Sequence, residues 1–516
     1  MRSTFLSRQT LTSSTAVFFA FAVVKLLIHF YTNAFAGYGI FRDELYYVAC
    51  SDHLSAGYVD QPPLSIFILA VSRLIFGDSI FALRLLPAVA GAAAVFMTGL
   101  MTRELGGGKF AQSIASLASV VSLIYLGYDT IYSMNSFDVL LWAWSAYVLI
   151  RLVKTGDKKF WLELGLILGL GLLNKISVLW LGFGIIVGVL FTPERRWLKT
   201  EFPYIGGMIA FAFFLPFILW NATHGMAHIE FIRNASFDKY SSLTPMTFLV
   251  GQILLQNPVT LFLWLPGLGW LLFSMEGKKF RILAYLYMTA ALILLINGHS
   301  KPEYLSQAYT MLFAAGAVWF ERWTSGVKLR WMKPAYAIVV GSGILLAPMS
   351  LPILPVELYV RYTNALGVTP SSPEAKKLDK LPQFYADMFG WEEKAAAVAK
   401  VFHAFTPEEQ ARCAIFGDNY GRCGAIDFYS KKYNLPKSIG RHNNYWLWGP
   451  REYTGELVIV LGGGLKDKQD IFESVTVADT VKSQYCMPYE NNLPIYVCRK
   501  LQKPLREFWP TTRHYE

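Results

Sequence analysis

Residues 37–65 read GYGIFRDELYYVACSDHLSAGYVDQPPLS, a polar and aromatic loop set between the first two strongly apolar segments of the chain. The loop carries four carboxylates, Asp43, Glu44, Asp52 and Asp60. Acidic side chains gathered on a loop beside a membrane are equipped to move protons. The remainder of the chain reads as a means of holding that loop over a lipid-accessible cavity.

Working outward, the 516 residues are 54% hydrophobic and only 16% charged, against about a quarter charged in a typical soluble domain. Repeated apolar runs of about 18 residues or more have the length needed to cross a hydrocarbon core. The chain therefore reads as a polytopic membrane protein. Its formal charge of +11 is explained by loop topology rather than by nucleic-acid binding. The first 36 residues start basic and turn apolar, as a signal peptide does. The run continues past Phe35 without a small-x-small cleavage site, so it is read as an uncleaved first helix.

Apolar spans are placed near 13–36, 79–101, 110–127, 136–153, 160–173, 176–191, 202–220, 250–274, 282–297, 304–320 and 334–354, which makes about eleven helices. With Arg2 and Arg8 taken as cytoplasmic, loops on that side carry eighteen lysines and arginines, against six (Arg42, Arg73, Lys175, Arg233, Lys239, Lys301) in the opposite loops. That bias puts both the acidic loop and the segment after residue 355 outside the cytoplasm. Leu64–Phe76, LSIFILAVSRLIF, is too short to span and starts sharply after Pro62–Pro63. It is expected to lie as a helix in the membrane interface, the competing reading being a re-entrant piece or part of the second span. The expected domains are a membrane domain over 1–355, with its first external loop at 37–78, and an extracytoplasmic α/β domain over 356–516.

In that last segment, ARCAIFGD, ELVIVLGG and PIYVCRK read as buried strands, and apolar residues recur at helical spacing around Ala395–Phe405. Gly462–Gly464 follows a strand but lacks the GxGxxG spacing, so a turn is expected there. Cys50 lies in the first loop; Cys413, Cys423, Cys486 and Cys498 cluster near the end. Four cysteines outside the cytoplasm suit two disulfides, Cys413–Cys423 and Cys486–Cys498, and the competing reading is four free thiols. The absence of a CxxC pair argues against zinc.

Asp43 and Glu44 are adjacent, so on a helix they diverge by about 100° and cannot both face one substrate. One carboxylate suffices as the base of an inverting group transfer, and Asp43 is the expected one; the competing reading has the two acids pairing with Arg42 or capping the loop helix. A leaving phosphate needs cations. Arg84, just inside the second span, and Lys301, at the outer mouth between two spans, are candidates, with Lys25 ranked lower as a residue that snorkels or pairs internally. Asn135 and Asp138, in YSMNSFDVLLW, divide between helix capping and cavity lining. His224 and His228 in WNATHGMAHIEF have a metal-like spacing, but surface histidines are the better reading.

Four stretches, FRDELYYVACSDHLSAGYVDQPPL, FGDSIFALRLLPA, LGLLNKISVLWLGFG and HSKPEYLSQAYTMLFAAGAVW, together resemble the polytopic GT-C glycosyltransferases. They are most similar to bacterial members of glycosyltransferase family 39, akin to protein O-mannosyltransferases and the lipid A aminoarabinose transferase. The likeness covers about residues 30–325, and the tail resembles the outer domain of bacterial members of that group. It implies a mainly α membrane fold with Asp43 as base. It also implies a contribution from Asp60-Gln61-Pro62-Pro63, where Gln61 stands in place of the Lys or His of relatives. Lys301 and Tyr304, similar to the family's Lys-x-x-Tyr element, compensate for that change. Tyr58 and Tyr309 complete the expected substrate contacts.

The implied donor is a sugar on polyprenyl phosphate, and the implied acceptor a lipid or glycan. No cofactor is firmly implied, and a divalent cation remains open. The expectation is an inverting glycosyltransferase of the bacterial inner membrane, with its active site and last domain on the periplasmic side. The rivals are a flippase for lipid-linked sugars, for which the expected inverted repeats are not apparent, and a membrane-anchored binding protein.

Overall fold

The computed structural model describes residues 2–236, 243–370, 372, 374 and 376–516, with side chains from residue 15 onward. Lys239, counted above among the loop cations, lies outside the described residues. The chain divides into two compact units. One comprises 1–36, 76–220 and 242–355; the other comprises 37–75, 221–241 and 356–516.

The first unit is helical, and the chain is a multi-pass membrane protein. Among the described residues, six helices are long and apolar enough to cross a bilayer: Thr15–Phe35, Ile80–Glu104, Met134–Thr155, Phe202–Thr223, Gly277–Asn297 and Val327–Met349. Two bent pairs, Val178–Leu190 with Pro193–Lys199 and Pro245–Leu255 with Pro258–Phe273, turn through 102° and 93° and raise the number to eight if each is one span. The eleven apolar segments therefore do not each give a straight span, and the breaks have local causes. At 257 the backbone adopts φ 73° and Pro258 supplies no N–H. The Asn257 amide fills the gap by donating to the carbonyls of Val121 (3.0 Å) and Gly343 (2.9 Å). The segment 110–127 breaks at Ser122, which is extended and donates to Gln256 Oε1 at 3.0 Å. Near the end of the first helix, Asn33 Nδ2 approaches the Arg84 carbonyl at 3.5 Å. The start of the next span thus lies beside the end of the first.

The second unit is built on a five-stranded sheet of β1 (Cys413–Gly417), β2 (Ile439–Gly440), β3 (Leu457–Leu461), β4 (Phe472–Val481) and β5 (Leu493–Leu501), in the order β2-β1-β3-β5-β4. β1 is parallel to β2 and β3, while β5 is antiparallel to β3 and β4. Alternate residues face opposite sides. Ile415, Leu457, Ile459 and Ile495 pack with Ala395, Val398 and Phe402 of the helix Trp391–Phe402. Ala414, Val458 and Tyr496 pack with Leu505 and Trp509. The helix Tyr420–Tyr433 follows β1, with the Asn419 side chain accepting the Arg422 N–H at its start. Leu64–Phe76 is a single helix, and Phe67, Val71, Leu74 and Ile75 on it are exposed.

The paired disulfides are not present: all five cysteines are buried free thiols. Cys413 and Cys498 lie in the packed faces of the sheet. Cys423 points its thiol at the Gly417 carbonyl and Cys486 at that of Ser483.

Candidate active site

The acidic loop folds as a helix, Arg42–Ser51, whose start is fixed from two directions. The Arg42 N–H donates to the Asp387 carbonyl at 2.9 Å, and the Glu44 carboxylate accepts the Phe41 N–H at 2.8 Å. Glu44 is buried, and its carboxylate caps the helix start. Asp43, one residue earlier, diverges from it and keeps 39% of its side chain exposed. Its Oδ1 accepts a 2.8 Å hydrogen bond from the Tyr420 hydroxyl and lies 3.4 Å from Arg42 Nε. No hydrogen bond is made to Oδ2 among the described residues.

Arg42 is the hub of this cluster. Its guanidinium also approaches Asp387 (3.6 Å) and Glu374 (3.7 Å), donates to Tyr489 (3.0 Å), and lies over the Tyr420 ring. Burial pushes the Asp387 carboxyl up to about 7 despite the Arg42 charge beside it. The loop's remaining acids are engaged elsewhere. Asp52 pairs with Arg73 (2.6 Å) and Lys437 (3.3 Å); Asp60 accepts the Tyr46 hydroxyl at 3.0 Å.

Tyr58, His228 and Gln61 are all buried. Tyr58 is fully buried, its hydroxyl set between the carbonyls of Cys50 and His53 while accepting the Ser55 N–H. These bonds tie the loop residues 50–58 together. His228 is not a surface residue: it is buried with Nδ1 2.9 Å from the Val59 carbonyl, and burial holds the imidazole down to about 4 against that hydrogen bond. Gln61 is buried with both amide atoms unpartnered among the described residues.

In the helical unit, Lys175 sits at the break between Lys159–Asn174 and Val178–Leu190. Its ammonium donates to Asn135 Oδ1 at 2.8 Å and lies 3.6 Å from Asp138 Oδ2, which also accepts the Ser177 hydroxyl at 2.9 Å. The Tyr304 ring stands 5.3 Å from Lys175 Nζ. Around this network Asp138 Oδ1, Asn174 Oδ1, Trp142 Nε1 and Ser145 Oγ are buried without partners among the described residues. Unmet buried hydrogen-bonding groups are costly, and here they gather at one end and along one stripe of the helix Met134–Thr155. Lys301 is half-buried where the 3-10 turn Pro302–Ala308 begins. Arg84 is buried at the kink between Ile80–Leu83 and Leu85–Glu104. Tyr309 lies in the helical core, its hydroxyl bonded to Tyr287 (2.9 Å) and Gln252 (3.2 Å), and so does not line an open surface. Among the described residues no group of three or more His, Cys, Asp or Glu is arranged to hold a metal.

Residues 60–220 match the family described as dolichyl-phosphate-mannose-protein mannosyltransferase. A search of curated proteins finds no match. Among solved structures, ArnT from Cupriavidus metallidurans bound to undecaprenyl phosphate aligns over 93% of this chain and 97% of its own, at 12% identity and a TM-score of 0.61. Its apo state aligns over the same shares at 13% identity and a TM-score of 0.60. The chain has the GT-C glycosyltransferase fold. The family match takes in Asp60, Arg84, Asn135, Asp138 and Lys175 of this chain, and leaves out Asp43 and the sheet. Lys175 was absent from the residues read as substrate contacts because charge counting made it one more loop cation. Its signal was a lone cation at the junction of two apolar runs. Tyr420 carried no local signal at all.

Proposed function

We propose that the chain is an inverting glycosyltransferase that moves a sugar from a polyprenyl-phosphate donor to a hydroxyl or phosphate of a lipid or glycan, on the periplasmic side of a bacterial inner membrane. The observation that carries this reading is the state of the loop carboxylates. Glu44, Asp52 and Asp60 are spent on the helix start, on cations or on Tyr46, whereas Asp43 is partly exposed and held by one oxygen only. With a hydroxyl acceptor, Asp43 takes its proton as the oxygen bonds to the anomeric carbon; a phosphate acceptor attacks already ionised. The bond from that carbon to the donor phosphate breaks, and its electron pair leaves with the polyprenyl phosphate. Lys175, Lys301 and Arg84 supply positive charge for that phosphate, and Asn135 and Asp138 orient the sugar. A single preorganised donor aimed at developing negative charge is worth about 3–4 kcal/mol of barrier, and a cation facing the leaving phosphate acts in the same way. Support for a lipid phosphate comes from the fold neighbour, which is bound to undecaprenyl phosphate.

The test compares lipids and glycans, by mass spectrometry, from cells carrying the wild type, Asp43→Asn or no gene. The glycosylated product is expected to disappear with Asp43→Asn as it does with the deletion. Near-normal product from Asp43→Asn removes Asp43 from the mechanism. In reconstituted vesicles, leaflet exchange without new glycosidic product identifies a flippase instead.

A further inference from the structure

The helix Arg42–Ser51 lies against the helix Tyr420–Tyr433 at a distance that only glycine permits. A Cβ at Gly421 would stand 2.7 Å from Arg42 Cγ and 2.8 Å from the Trp391 ring, and one at Gly424 would stand 2.8 Å from Leu45 Cβ. Paired glycines one turn apart let two helix backbones approach closely and fix their relative register. The register is fixed again by rings and amides. Tyr46 packs on Tyr420 with centroids 4.9 Å apart, and its hydroxyl lies 3.1 Å from Asn444 Oδ1, which accepts the Val59 N–H at 2.8 Å. The outcome is the 2.8 Å bond from the Tyr420 hydroxyl to Asp43 Oδ1.

We propose that Tyr420 is a positioning residue for Asp43, and that the sheet-bearing segment is thereby a working part of the transfer site rather than an appended domain. This rests on the reading of Asp43 as the base. Tyr420 and Arg42 together occupy Oδ1, which fixes the carboxylate's rotation and leaves Oδ2 as the atom that takes the proton. Packing alone would not need the hydroxyl: the Tyr420 ring already lies against Tyr46, His442 and Arg42. A hydrogen bond from a phenol to an ionised carboxylate is charge-assisted, and so stronger than one between neutral groups.

The experiment uses Tyr420→Phe in the full chain, with two readouts. The infrared band of the Asp43 carboxylate is isolated as wild type minus Asp43→Asn, and again in the Tyr420→Phe background. Loss of the phenol bond is expected to move that band. In transfer assays on a membrane lipid extract, with product followed by mass spectrometry, kcat is expected to fall about tenfold or more with KM for the lipid donor unchanged. Gly424→Val, which drives the helices apart, is expected to move the same band. An unmoved carboxylate band in Tyr420→Phe overturns the proposal. So does a fall in thermal stability with kcat and band both unchanged, which would make Tyr420 a packing residue. A moved band combined with full transfer by Asp43→Asn leaves the positioning intact and overturns the assignment of Asp43 as base.

Discussion

Lys25 Nζ lies 3.0 Å from Asp129 Oδ2 inside the helical unit, with both side chains sealed from solvent. Gly91 makes the room: a Cβ there would overlap the Asp129 carboxylate. The pair ties the first helix to the turn after Leu123–Tyr128. Removing one partner strands a charge in a low-dielectric interior, which costs about 3–5 kcal/mol, whereas removing both together is far milder. Lys25→Met is expected to lower the thermal unfolding midpoint in detergent sharply, and Lys25→Met with Asp129→Asn to recover most of it. Equal losses from the single and double variants would show that the two residues act independently.

Glu44 and Asp43 are neighbours with opposite employment, and substitution separates them. Glu44→Gln keeps an oxygen to accept the Phe41 N–H and is expected to retain most transfer, while Glu44→Ala costs about 0.5–2 kcal/mol of stability through the lost cap. Asp43→Asn is expected to cost about 10²–10⁴-fold in transfer with little change in stability. Paired melting curves and product yields check both. A Glu44→Gln variant as inactive as Asp43→Asn would contradict this division of labour.

The membrane character and the α/β tail were legible because each rests on a local rule. Long apolar runs announced the helices, and β1, β3 and β5 announced themselves as buried apolar segments between turns. β4 escaped because it is an edge strand with most of its residues exposed, so no inward face alternates clearly in FESVTVADTV. The breaks at Ser122 and Asn257 escaped because each is stabilised by a partner distant in sequence, Gln256 in one case and Val121 with Gly343 in the other. Asp43 is proposed as the base from its loop. Its hydrogen-bond donor, Tyr420, lies 377 residues away, beyond the reach of any spacing rule.

The cysteines offer a direct chemical check. Alkylation of the denatured protein is expected to label five thiols without prior reduction, as all five are free. Mass spectrometry before and after reduction should give the same adduct count. A gain of two or four labels on reduction would restore one or both of the bridges expected from sequence.

Lys175 is framed by Asn135, Asp138 and the Tyr304 ring. Because it neutralises Asp138, Lys175→Met alone also strands a buried acid, so the informative variant is Lys175→Met with Asp138→Asn. Transfer is expected to fall about 10²-fold or more in that double variant, by analogy with loss of one preorganised charge-stabilising group, while the unfolding midpoint stays within a few degrees of wild type. Retained transfer in a stable double variant would leave the donor phosphate to Lys301 and Arg84.

Asp387 should write itself into the pH dependence of stability. Burial raises its folded-state value to about 7, against about 3.9 for an unperturbed aspartate. Between those values the native protein holds a proton that the unfolded chain has released. Native stability from this group is therefore greatest at low pH, declines as pH rises through that window, and is lowest above about 7. Asp387→Asn removes the titration while keeping the shape. Thermal melts from about pH 5 to about pH 8 are expected to show the wild type losing ground to Asp387→Asn as pH rises. The Arg42 charge limits the loss, so replacing Arg42 with Met should steepen it. A wild type that gains on the variant with rising pH would mean that Arg42 outweighs burial and keeps Asp387 ionised throughout.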